Sequence, residues 1–142
     1  MRQLLKQALT QHVQVLGRNF KSLDLSVLPW NEVQISSLET LRMSIQRLKQ
    51  TIGYASPSDG PLDARTRQEL YNELTIIIGF SQILFFKEAG DLSLLSSAAL
   101  QTILKTSAQI QDALEADKVH LAPKSDSQIP QYNWASVPRP SR

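Results

Sequence analysis

The sequence predicts an all-α protein: two helical hairpins and a C-terminal tail, with a four-helix bundle expected from pairing of the C-terminal hairpin with a second copy of itself. Three observations carry this. Apolar residues recur at alternating spacings of three and four in four separate stretches, the period of one helix face. Runs rich in Pro, Gly, Ser and Asp fall between those stretches. The stretch densest in β-branched residues, Ile76 to Phe86, shows none of the alternation of a half-buried strand.

The first predicted helix covers about Arg2 to Phe20, with Leu5, Leu9, His12, Leu16 and Phe20 on one stripe. The connector KSLDLSVLPW, with Pro29, suggests an ordered turn. The second helix is expected from Asn31 to Ile52. Asn31 can accept from the backbone at the helix start, and Gln34 can reach back to form a capping box. Leu38, Leu41, Ile45, Leu48 and Ile52 make its seam, and Gly53 stands where it should stop. The run YASPSDGP then separates the hairpins, placing domain boundaries at 1–53 and 61–116. Pro61 suits the first turn of a third helix. That helix should reach about Lys87, with Leu70, Leu74, Ile77, Ser81 and Leu84 inside; Gly79 costs about 1 kcal/mol relative to alanine without ending it. The turn EAGDLS closes it at Gly90. Ser93 can cap a fourth helix whose seam is Leu100, Ile103, Ser107, Ile110 and Leu114. Periodicity ends at Ala116, leaving residues 117–142 as a flexible tail. Ile129, Tyr132 and Trp134 are apolar for such a tail; they either pack on the bundle or form a docking motif.

Composition narrows the function classes. With no cysteine, disulfides, thiolate metal sites and a cysteine nucleophile are excluded. The formal net charge of +2 is too small to point to nucleic acid, and Lys118, Lys124, Arg139 and Arg142 against Asp117 and Asp126 account for all of it. On the second helix, Arg42 and Lys49 flank neutral Gln46 and read as a solvated face. The N-terminal stretch does not read as a signal peptide, and the longest apolar run is too short and too interrupted to span a membrane. A cytoplasmic protein of bacterial type is the simplest expectation. His12 reads as a semi-buried packing residue. His120 is isolated, and no metal or cofactor is expected.

The apolar face of the third helix is broad: Ile76, Ile77, Ile78, Phe80, Ile83, Leu84, Phe85 and Phe86 exceed one stripe. Such a helix needs cover on two or more sides. Either two hairpins of one chain or two copies of the C-terminal hairpin would provide it.

From Gln68 to Leu84 the chain reads QELYNELTIIIGFSQIL. This resembles the first helix of the dimerisation and histidine-phosphotransfer domain of sensor histidine kinases. There His-Glu-Leu-Arg-Thr-Pro-Leu-Thr leads into Ile-Ile-Gly-Phe-Ser. The similarity continues through AGDLS into AALQTILKTSAQIQDAL and covers roughly residues 62–116. It implies a homodimeric four-helix bundle with Leu70, Leu74, Ile77, Ile78, Leu84, Leu100, Ile103, Ile110 and Leu114 as core and dimer seam. It also implies a response regulator or a histidine kinase as partner.

The departures define the expected function. Gln68 occupies the position of the phospho-accepting histidine, and an amide is no nucleophile at neutral pH. Glu73 replaces the family's proline, and no glycine-rich phosphate loop is present. The resemblance therefore implies a non-catalytic adaptor. Glu69 and Asn72 match the positions of an acid and a water-orienting residue, so a phosphatase acting on a receiver's aspartyl phosphate is the alternative; the plainer reading is a solvated helix face. Candidate partner-docking residues are Tyr71, Glu73, Tyr132 and Trp134. A structural or assembly factor that keeps only the fold is the third class.

Overall fold

The computed structural model describes residues 1–24, 30–87 and 94–119. Four α-helices make up the described chain: α1 (Gln3–Asp24), α2 (Glu32–Tyr54), α3 (Ala64–Gln82) and α4 (Leu94–Val119). One π-helical turn, Ile83–Lys87, extends α3. The predicted all-α class is what the chain adopts. The connector with Pro29, the turn at Gly90, the cap at Ser93, His120, and the tail residues Ile129, Tyr132 and Trp134 lie outside the described residues.

Each helix packs on two neighbours in a ring: α1 on α2 and α4, α3 on α2 and α4. Contacts near the helix ends fix the directions. Lys6 Nζ, near the start of α1, donates to the Ala55 carbonyl just past α2 at 2.8 Å, so these two helices run antiparallel. Tyr71, early in α3, reaches Glu115, late in α4. The result is an up-down-up-down bundle with a single core.

The seams expected from sequence largely face that core. Leu38, Leu41, Ile45, Leu48 and Ile52 are all buried, as are Leu70, Leu74, Ile77, Leu84, Leu100, Ile103, Ile110 and Leu114. Buried Ser107 stays satisfied by donating to the Ile103 carbonyl at 2.8 Å. Ile78 departs from expectation: it is only half-buried, because it lies one position round the helix from Ile77. In α1 the buried stripe is Leu9, Val13, Leu16 and Leu23. His12 is half-buried beside it, and Leu5 and Phe20 pack at its edge.

Helix ends follow local chemistry. Asn31 Oδ1 accepts from Gln34 N at 2.8 Å, and Gln34 Oε1 accepts from Asn31 N at 2.8 Å, completing the expected capping box. Asn31→Ala should cost about 1 kcal/mol in chemical denaturation. α2 runs one residue past Gly53, to Tyr54. α3 starts later than Pro61 suggested. Asp63 is the cap, its Oδ1 accepting from Thr66 N at 2.8 Å and its Oδ2 from the Thr66 hydroxyl at 3.0 Å. These bonds, the backbone one first, hold the Asp63 carboxyl below the usual aspartate range. α4 continues beyond Ala116 to Val119, so Asp117, expected in the tail, is helical and 4% exposed.

The bundle is closed by one chain. The seam that the kinase resemblance gives to a second copy is covered by α1 and α2: Leu70, Leu74, Ile77, Leu100 and Ile103 are each 0% exposed. Dimerisation through that seam therefore has no free surface to use. Sedimentation should give the 15.9 kDa mass of one chain; a stable dimer would mean exchange of hairpins or a different interface.

Candidate functional site

The outward face of α3 carries the residues of interest. Arg67, Leu70, Leu74, Ile77 and Ser81 point inward. The helical period then sends Gln68, Glu69 and Asn72 outward, and all three are exposed. Gln68 Nε2 donates to Asn72 Oδ1 at 2.9 Å, one turn on. Arg65 lies 3.8 Å from Glu69 in a loose i, i+4 pair with both side chains exposed, worth well under about 1 kcal/mol. Glu69 and Asn72 thus share a solvated face, with the Asn72 carbonyl oxygen already engaged by Gln68. The Gln68 side chain is accessible, and its amide is no nucleophile.

Tyr71 and Glu73 are each engaged by a neighbouring helix. Tyr71 donates its phenolic proton to the Glu115 carboxylate, bracing α3 against α4. Burial first, then the hydrogen bond to Glu115 and its negative charge, push the Tyr71 pKa up from 10.0 to about 12. A group whose pKa is higher in the folded state favours folding below its unfolded pKa. The contribution of Tyr71 should therefore be full below pH 10 and lost as pH rises towards 12. Phenolate absorbance should show one tyrosine titrating late. In Glu115→Gln that titration should move down only part of the way, because burial remains.

Glu73 Oε2 accepts from Arg47 Nε at 3.1 Å, joining α3 to α2. Its Oε1 is buried with no hydrogen-bond partner. Tyr132 and Trp134, the other candidate docking residues, lie outside the described residues.

One constellation escapes sequence reasoning. Arg67 on α3 and Asp117 on α4 form a buried ion pair, Nη2 to Oδ2 at 3.4 Å, with side chains 8% and 3% exposed. Asp117 Oδ2 also accepts from Leu62 N at 2.9 Å, and Arg67 Nη2 donates to the Leu62 carbonyl at 2.6 Å. The pair ties the entry to α3 onto the end of α4. A signal for it is present in the chain: Arg67 lies three residues before Leu70, and Asp117 three after Leu114, so each extends its apolar seam by one turn.

Among the described residues no three His, Asp or Glu side chains converge as a metal site. No described helix is long and apolar enough to cross a membrane. Comparison with known protein families, with curated proteins and with solved structures finds no match to the chain.

Proposed function

We propose that the chain is a non-catalytic adaptor of two-component signalling that binds a response-regulator receiver or a histidine kinase through the outward face of α3. The observation that carries this reading is Gln68. It is exposed on α3, at the position where the sequence resemblance puts the phospho-acceptor, with its amide turned onto Asn72. A face that has the accessibility of a phosphotransfer site without its nucleophile suits binding rather than transfer. The reading does not need a second copy, because α1 and α2 complete the bundle.

The test is binding of the purified chain to a panel of receiver domains and kinase dimerisation domains from its own host. At least one should bind, and the double variant Glu69→Lys, Asn72→Arg should weaken it by about tenfold or more. Absence of binding to every member of both classes ends the proposal.

The exposure of Glu69 and Asn72 one turn apart favours a second reading, a receiver phosphatase in which the amide orients water and the carboxylate anchors the partner. Faster decay of a phosphorylated cognate receiver, lost in Asn72→Ala, would support it. An unchanged decay rate rules it out.

A further inference from the structure

A groove of ≈ 520 Å³ runs along the opposite hairpin, between α1 and α2, and no residue of α3 or α4 lines it. Two glycines open it. At Gly17 on α1 and Gly53 on α2, an added Cβ would meet nothing within 4 Å. The floor is apolar, formed by Val13, Ile45 and Ile52. The rim is cationic: Arg18, Lys21 and Lys49 line it, all three exposed, and no acidic residue does. None of these three cations forms an ion pair within the described chain. On α1 the lining runs from Thr10 to Lys21, which spans about 16 Å, or roughly three helical turns.

Surface cations on a helical bundle are commonly interleaved with acids, as at Arg42–Glu39 and Arg65–Glu69 on this molecule. Here three stand without an acidic partner among the described residues, around one apolar trough of helical length. From this we infer that the α1–α2 groove is a docking site for an acidic amphipathic helix of another protein. An apolar stripe at i, i+3 or i+4 and i+7 would lie on Val13, Ile45 and Ile52. Flanking carboxylates would pair with Arg18, Lys21 and Lys49, setting orientation and association rate. The glycines let the incoming backbone approach closely, as larger residues would not. This inference does not depend on the proposed role of α3, since the two surfaces share no residue.

The test is selection of binders to the full chain from a displayed library of helix-forming peptides, followed by binding measurements with the winners. Selected sequences should carry Asp or Glu beside an apolar i, i+3/4, i+7 stripe. Their affinity should fall by about tenfold or more in Gly17→Leu, which fills the trough from a site with open space, and in the double variant Arg18→Glu, Lys49→Glu. Both variants should keep the helical circular dichroism of the parent, and binding should weaken as salt rises. Amide chemical shifts of the labelled chain should move along α1 and α2 and not on α3. No enriched peptide, enrichment without acidic residues, or affinity unchanged in both variants would each overturn the inference. So would tighter binding of decanoate than of any acidic peptide at the same groove, which would assign the site to an anionic lipid.

Discussion

Asp117→Ala should destabilise the bundle by about 3–5 kcal/mol, the usual cost of removing one partner of a buried ion pair. The substitution strips the carboxylate from a guanidinium whose side chain is 8% exposed. It also leaves the Leu62 backbone N–H, now bonded to Asp117 at 2.9 Å, without that acceptor. A charge and a donor are then both stranded away from water, and each costs more unpaired than it gained when paired. Urea denaturation followed by circular dichroism should show the midpoint falling steeply, with the slope little changed. The double variant Arg67→Met, Asp117→Leu should recover much of the loss, because a well-packed apolar pair carries no stranded charge. A single variant within about 0.5 kcal/mol of the parent would show that solvent reaches the pair and that the clamp is not structural.

Leu74→Ala should cost about 2–5 kcal/mol. Leu74 is 0% exposed at the middle of the α3 seam. Alanine removes three buried carbons and leaves a cavity between helices that are held on both sides and cannot close freely. Thermal unfolding of this variant should fall by on the order of 10 °C, given how a bundle of this size converts free energy into melting temperature. Ile78→Ala, a few positions along and half-buried, should cost distinctly less. The contrast between the two positions tests the helix register directly: comparable losses would mean the face assigned to the core is wrong.

Much of the fold is legible in the sequence because a helix converts spacing into direction. A residue every three or four positions faces the same way whatever it packs against. That is why the seams of α2, α3 and α4 follow from spacing alone, and why Asn31 and Gln34 read as a capping box. α1 is less legible. Leu5, Leu9, His12, Leu16 and Phe20 and the buried set Leu9, Val13, Leu16 and Leu23 lie on neighbouring stripes. Only contact with α2 and α4 chooses between them.

The candidate site divides in the same way. That Gln68, Glu69 and Asn72 share an outward face follows from their spacing once Leu70 and Leu74 are inside. That Tyr71 and Glu73 are held by Glu115 and Arg47 does not follow, because the partners are far away in the chain.

By itself the sequence determined the helices, their inward faces and the absence of a nucleophile at position 68. All of these are local consequences of residue type and a 3.6-residue period. The tertiary structure alone decided what covers the inward seam of α3, and it leaves Ile83 of the broader apolar face exposed. Two copies of one hairpin and two hairpins of one chain present the same periodicity, and the choice rests on whether α1 and α2 fold back. It also decided that Asp117 belongs to the core and not to a tail. A charged residue reads as solvated until its partner is in place, and Arg67 lies fifty positions earlier in the chain, brought alongside only when α3 and α4 pack.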